Sequence, residues 1–445
     1  MYRVHLSTTI GTFIKRTVLK TRYYSLDVFR GATVALMILV NNPGSWSHIY
    51  SPLKHATWHG LTPTDLVFPF FLFAVGNAMA FVMPRLEEAG DKIFWKKIFK
   101  RTALIFLIGL FLNWWPFARW QDQLLLTGWT WMNIEGSLSG VRILGVLQRI
   151  ALCYFFASVI VYYLKAKGAF LAGLILLLLY WLFCVLGNPA DPYSLQGWFG
   201  TAIDKAILNE LHMYKGAGIP FEPEGLMSTF PAIVQVIFGY LAGDYILKNS
   251  TKDKNQITEV NLPENEKPIQ KNTDLNHKLL TENQFQQNLY RILTELFIFA
   301  MVFLIAGYCW NLNFPVNKPI WTSSYVVLTT GMAIAVLATL IYAIEIKGVK
   351  NWLTRFFDVF GKNALFVFAL SAFLPKGLRL IRIPNGINGK KEDVYTNPWN
   401  FLYDKVYKFV PGAPEVGSLL FALTVILFMW SICYYMDKKK IYIKV

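Results

Sequence analysis

Charge is scarce in this sequence. Asp, Glu, Lys and Arg make up 16% of its 445 residues, against 55% hydrophobic residues. Ordinary soluble domains sit far from that balance, and the apolar residues here come in uninterrupted runs instead of amphipathic stripes. Cysteine is scarce too: Cys153, Cys184, Cys309 and Cys433 all fall inside apolar runs, and none has C-x-x-C spacing. That excludes a disulfide framework and a thiolate metal site and leaves four small core residues. No carboxylate completes an H-E-x-x-H pattern around His55 and His59, and Pro52 and Gly60 break any helix that would pair them, so no metal is expected. No basic stretch is interleaved with aromatics on a soluble segment, so the net charge of +16 does not indicate a nucleic-acid partner. No internal repeat is visible, which argues against an inverted-repeat transporter.

What the chain does have is apolar runs of membrane-spanning length, since about 20 apolar residues cross a hydrocarbon layer of roughly 30 Å. The fold class is all-α: a polytopic integral membrane protein of about ten spans, with the lipid bilayer as its partner. Spans are expected at 26–40, 62–83, 102–115, 141–164, 169–186, 229–247, 289–310, 321–344, 356–374 and 417–436. Basic residues flank them unevenly. The densest cluster, Arg85, Lys92, Lys96, Lys97, Lys100 and Arg101, follows the second run, and Lys438, Lys439 and Lys440 follow the last. By the positive-inside rule both termini are cytosolic, although Lys376, Arg379, Arg382, Lys390 and Lys391 then fall in an outer loop.

The organisation reads as a basic tail (1–23) with the spacing of a surface amphipathic helix, six spans (24–247), a disordered linker (248–288), four spans (289–437) and a basic tail (438–445). In the outer loop before the sixth span, the spacing of 197–211 predicts a helix. Span eight carries a small-residue face, Gly331, Ala333, Ala335 and Ala338, which reads equally as internal packing or as a homodimer seam. The composition suggests a bacterial cytoplasmic membrane.

Each ionisable residue inside a span costs about 2.5–3.5 kcal/mol on insertion scales and asks for a partner or a task. Arg149 is the clearest case, with Arg142 two turns earlier on the same predicted face. It pairs with a carboxylate such as Asp65 or Glu224, or it clamps a phosphate or carboxylate in a central cavity. Asp27 and Arg30 stand at the start of the first span with Gly31, which admits a close backbone or ligand. His48, His55 and His59 crowd the loop after the first span. A neutral imidazole is a good base near pH 7, and Asn41 or Asp65 is placed to orient it.

These residues lie in blocks that resemble the heparan-α-glucosaminide N-acetyltransferase family of transmembrane acyltransferases: S-L-D-V-F-R-G at 25–31, V-N-N-P-G at 40–44, L-K-H-A-T-W-H-G-L-T-P-T-D-L-V-F-P at 53–69, G-V-L-Q-R-I-A at 145–151, E-P-E-G-L-M-S-T-F-P-A-I at 222–233 and G-K-N-A-L at 361–365. The resemblance implies a bacterial-type member without the N-terminal luminal domain of the lysosomal proteins. It also implies transfer of an acetyl group from cytosolic acetyl-CoA to an amino sugar on the far side of the membrane. In that reading His55 is the catalytic residue, supported by Asn41 and Asp65. Asp27, Arg30, Gln148, Arg149, Lys362 and Asn363 bind CoA, and Trp46, Trp58, His59 and Glu224 border the acceptor. A sugar O-acetyltransferase and, more distantly, a sugar transporter are the alternatives.

Overall fold

Long apolar runs become helices because lipid satisfies no backbone amide, and helices dominate the chain. The computed structural model describes residues 23–121, 123–133, 136–258, 270–387 and 393–443, without side chains over 251–285 and at 387 and 393. The helices that carry the argument are α1 (Tyr24–Asn41), α2 (Val67–Ala80), α3 (Asp91–Trp114), α4 (Val146–Gly187), α5 (Gly200–Leu208), α6 (Leu226–Thr258), α7 (Gln270–Asn311), α8 (Ser323–Ile341), α9 (Trp352–Lys362), α10 (Ala364–Leu378) and α11 (Pro414–Lys438). Among the described residues three two-stranded hairpins decorate the loops, pairing Ala118–Trp120 with Leu124–Leu126, Thr130–Met132 with Leu138–Gly140, and Ile383–Ile387 with Asp393–Thr396.

Seven of the described helical segments are long and apolar enough to cross a membrane, and the α9–α10 pair, bent by 80°, makes eight if it counts as one span. Ten were expected, and the difference has physical causes. The basic first half of α3, with Lys97, Lys100 and Arg101, denies it an uncharged run of that length. The fourth and fifth runs are the two limbs of α4, which part at Lys165, where a φ of 55° and ψ of −176° break the helix between the expected spans, and together they count once among the seven. Nor does Arg142 share a helix face with Arg149: α4 begins at Val146 after Gly145, and Arg142 lies in the extended approach to it. The 248–288 segment, read as disordered, continues α6 to Thr258 and enters α7 at Gln270, with 259–269 outside the described residues. The basic N-terminal tail likewise lies outside them.

Glycines set the closest helix contacts. A Cβ on Gly31 of α1 would stand 1.8 Å from the Phe357 carbonyl oxygen, and one on Gly361 of α9 would stand 2.2 Å from the Asp27 oxygen. Gly76 of α2 and Gly239 of α6 face the opposite helix's backbone in the same way, at 2.0 and 2.1 Å. Without side chains between them the backbones touch, as membrane helix pairs require in the absence of a hydrophobic drive between helices. Gly31→Val is therefore expected to lower stability by about 1–3 kcal/mol or more, through forced separation of α1 and α9. A thermal-unfolding midpoint in detergent unchanged from the parent protein would count against this contact. The small-residue face of α8 is packed internally: Gly331 and Ala338 are buried, and a Cβ on Gly331 would meet the α7 backbone at Ala300, 2.9 Å away.

The helices fix two opposite ends. α1 is about 27 Å long at 1.5 Å per residue and runs from Asp27 and Arg30 to the loop bearing His55. α2 returns to Glu87 and the basic residues of α3. Lys165 joins that same basic end through an ion pair with Glu87 at 3.1 Å. The Arg-rich loop after α10 finds aromatic partners at the other end, where Arg382 lies 4.3 Å from the Trp120 ring and 4.7 Å from the Tyr395 ring.

Candidate active site

The sequence T-P-T-D at 62–65 starts the turn leading into α2, with proline at its first position and Asp65 accepting the Thr62 amide at 3.1 Å. This capping geometry buries Asp65 to 1% exposure and aims its carboxylate back at the preceding loop. Oδ2 also accepts the Thr62 hydroxyl at 2.9 Å and the Ala56 amide at 3.1 Å, and Oδ1 meets His55 Nδ1 at 2.6 Å. A carboxylate at that distance makes Nδ1 the protonated nitrogen and leaves the Nε2 lone pair free, which is the tautomer of a general base. Nε2 has no hydrogen-bond partner among the described residues.

A third group reaches the pair from far along the chain. Lys318 Nζ lies 3.3 Å from Asp65 Oδ1 and 3.1 Å from His55 Nδ1. It is placed by Asn317, fully buried, whose amide donates to the Trp58 carbonyl at 3.0 Å and meets His59 Nδ1 at 3.3 Å. Gly60 N donates to the Val316 carbonyl at 2.8 Å, completing the seam between the two loops. Burial pulls Lys318 below the usual lysine range, against the attraction of Asp65. Neither Asn317 nor Lys318 was expected in the site; the available signal was a lysine flanked by asparagine and proline in a loop on the side where the charge rule disfavours lysine.

His55, Asp65 and Lys318 line a cavity of about 340 Å³, shared with Trp58, Arg142, Arg149, Tyr214, Glu224 and Trp321. On its far wall Arg142 donates to Glu222 through Nε at 2.9 Å and bridges to both Glu222 and Glu224 through Nη2. Its guanidinium also lies 4.9 Å from the Tyr214 ring. Burial raises the Glu222 pKa despite Arg142; at Glu224 burial pushes the same way, but Arg142 and Arg149 outweigh it and hold the group below the ordinary glutamate value. Glu224 is thus an anion on the cavity wall. Glu224 belongs to Arg142 and not, as considered, to Arg149. Arg149 donates to the Gly225 carbonyl at 3.3 Å and to Ser228 Oγ, and its guanidinium lies 5.0 Å from the Trp321 ring. Its Nε and Nη1 have no hydrogen-bond partner among the described residues.

The other expected site residues lie apart from this cavity. Asn41, on the last turn of α1, and Trp46 are exposed, and neither lines it. Trp58 does, its indole donating to the Tyr193 carbonyl at 2.8 Å. His59 does not, and burial lowers its pKa. Gln148 is buried and donates to the Ile143 carbonyl at 2.9 Å. Asp27, Arg30, Lys362 and Asn363 gather at the basic end. Arg30 bonds Asp27 at 2.7 Å and the Gly361 carbonyl at 2.8 Å, and Lys362 meets Asp358 at 2.6 Å and Asp437 at 3.1 Å. Asn363, at the α9–α10 bend, holds the tail by donating to the Ile441 carbonyl at 3.1 Å and accepting the Ile443 amide at 2.9 Å.

Beside the cavity, Asp204 of α5 receives the Leu226 amide at 2.9 Å while its other oxygen has no partner among the described residues. Burial, partly offset by that amide, raises its pKa from 3.8 to about 7. The folded protein therefore binds a proton there that the unfolded chain releases, and stability falls as pH rises through that window, on the order of 1.4 kcal/mol per pH unit at most. Asp204→Asn keeps the amide acceptor and removes the ionisation. It is expected to flatten the thermal midpoint between pH 5 and 8 and to raise it at pH 8. A parental slope in the variant would assign the pH dependence elsewhere.

Comparison with known proteins identifies the family. Residues 22–271 match the family profile described as heparan-alpha-glucosaminide N-acetyltransferase, catalytic, a segment that contains His55, Asp65, Arg142, Arg149 and Glu224. Heparan-alpha-glucosaminide N-acetyltransferase of Homo sapiens is 25% identical over 403 residues, covering 79% of this chain and 53% of the relative; that of Mus musculus is 23% identical over 402 residues, covering 78% and 53%. The chain spans about half the length of these curated relatives. With more than half of its residues matched by the profile, the chain belongs to the heparan-alpha-glucosaminide N-acetyltransferase catalytic family.

Proposed function

We propose that the protein transfers an acetyl group from acetyl-CoA to the amine of a glucosamine-type sugar, with His55 as general base. The observation that carries the reading is the hydrogen-bonded His55–Asp65 pair, presenting an unprotonated Nε2 at a cavity whose opposite wall is the anionic Glu224. A sugar amine enters as an ammonium, which Glu224 attracts. Trp58, Tyr214 and Trp321 offer aromatic faces to the ring. The ammonium first gives up one proton to solvent at the cavity mouth; the neutral nitrogen then attacks the thioester carbonyl while His55 Nε2 takes the proton that the new C–N bond displaces. His55 returns that proton to the departing thiolate, so the products are the amide and free CoA. Arg149, buried beneath the cavity with two unused donors, supplies positive charge where the tetrahedral oxyanion develops. Arg30 and Lys362 at the basic end receive the CoA phosphates, with Asp27 holding the Arg30 guanidinium and Asn363 holding the tail beside them. Donor and acceptor therefore enter from opposite sides of the membrane.

Purified full-length protein incubated with acetyl-CoA and glucosamine is expected to release CoA thiol and to form N-acetylglucosamine, identified by mass spectrometry. O-acetylated product alone would move the reading to the O-acetyltransferase. Absence of CoA release with uptake of sugar into proteoliposomes would move it to the transporter.

A further inference from the structure

A second and larger cavity, of about 670 Å³, lies between the second limb of α4 and helices α6, α7 and α8, away from His55. Its wall is apolar, with Phe170, Phe238, Phe299 and Phe303 its largest faces. Phe170 and Phe299 are 42% and 45% exposed, so the groove is open along its side where the helices face lipid. Its polar residues include Lys167 and, on α6, Asp244, Lys248 and Asn249. Lys248 pairs with Asp244 at 2.7 Å, and Tyr245 is bonded to Glu295, which Arg291 approaches at 3.9 Å. The mouth thus carries an excess positive charge at Lys167, which is exposed. It also sits at the basic end: Lys165, two residues earlier, is paired to Glu87 beside the Lys- and Arg-rich start of α3.

An apolar slot open to the hydrocarbon, with a cationic mouth at the headgroup level, matches one chemistry. We propose that it binds an anionic diacyl phospholipid, one acyl chain lying along the phenylalanines and the phosphate at Lys167 and Lys248. The second chain stays in the bilayer through the open side, which distinguishes this occupant from a free fatty acid. Such a lipid would join α4 and α6 of the first half to α7 and α8 of the second. Positive charge near an anionic leaflet adds attraction for each basic group.

The test uses the full-length protein in mild detergent, with phosphatidylglycerol or phosphatidylcholine of matched chains added, read by native mass spectrometry and by the thermal midpoint. Phosphatidylglycerol is expected to be retained at least fivefold more than phosphatidylcholine and to raise the midpoint by several degrees. Lys167→Glu, at an exposed position that leaves the fold intact, is expected to abolish the difference, and Lys167→Arg to keep it. Equal retention of the two lipids overturns the proposal. So does undiminished phosphatidylglycerol retention in Lys167→Glu, displacement of the phospholipid by an equimolar fatty acid, or a dimer mass that this face alone accounts for.

Discussion

His55→Ala is expected to lower kcat for acetyl transfer by about 100- to 10,000-fold, the range a positioned general base contributes, with little change in KM or thermal midpoint. The separation between activity and stability follows from the packing around Asp65. When the imidazole is removed, that carboxylate keeps the Ala56 and Thr62 amides, the Thr62 hydroxyl and Lys318, so no buried charge is stranded. The half-exposed imidazole covers little apolar surface, its side chain being 51% accessible. CoA release measured with saturating acceptor reads the loss directly, and added imidazole in the vacated space is expected to restore part of it. The same variant addresses the order of events. Direct transfer leaves no radiolabelled acetyl on the parent protein incubated without acceptor, whereas an acetyl-His55 intermediate leaves label that His55→Ala cannot hold. A midpoint that drops together with activity would make His55 a structural residue.

The helices were legible because lipid imposes one local rule, about 20 apolar residues per crossing, which can be read along the chain without tertiary knowledge. Where that rule meets charge it blurs. Lys97, Lys100 and Arg101 hide the start of α3, whereas Lys165 and Lys167 mark the break between the two limbs of α4, where the fourth run was expected to end. Half of the candidate site was equally legible, since His55 and Asp65 stand ten residues apart in one loop and the Thr62 cap joins them locally. Lys318 was not, because its approach depends on Asn317 and Gly60 closing a seam between loops more than 250 residues apart, and no periodicity encodes a loop-to-loop hydrogen bond. For the same reason, the pairing of Glu224 with Arg142 instead of Arg149 was beyond local spacing. Asn41, which the family resemblance placed beside His55, lies exposed at the end of α1, while its neighbour Asn42 turns inward and bonds the Ile38 carbonyl at 2.9 Å.

Asp65→Asn is expected to do what His55→Ala does not, lowering activity and stability together. Every group around the Asp65 side chain is a donor: two backbone amides, the Thr62 hydroxyl, His55 Nδ1 and the Lys318 ammonium. An asparagine side chain offers one acceptor oxygen and turns an NH₂ toward the remaining donors, so at least one donor is left facing another. If the NH₂ faces His55, Nδ1 becomes the acceptor and the proton moves to Nε2, which can no longer accept one from the amine. If it faces the amides instead, the turn that starts α2 loses its cap. In both cases Lys318, already pulled down by burial and with its side chain 22% accessible, loses its partner carboxylate and keeps only the attraction of Glu224, and breaking a largely buried pair on one side costs up to about 3–5 kcal/mol. The expected result is a loss in kcat of at least 100-fold with a thermal midpoint lower by several degrees. Lys318→Met separates the two effects. Removing the stranded cation from Asp65→Asn should recover much of the stability and none of the activity, because the imidazole still lacks its carboxylate. Recovery of activity in the double variant would show that Lys318, and not the tautomer imposed by Asp65, controls the base.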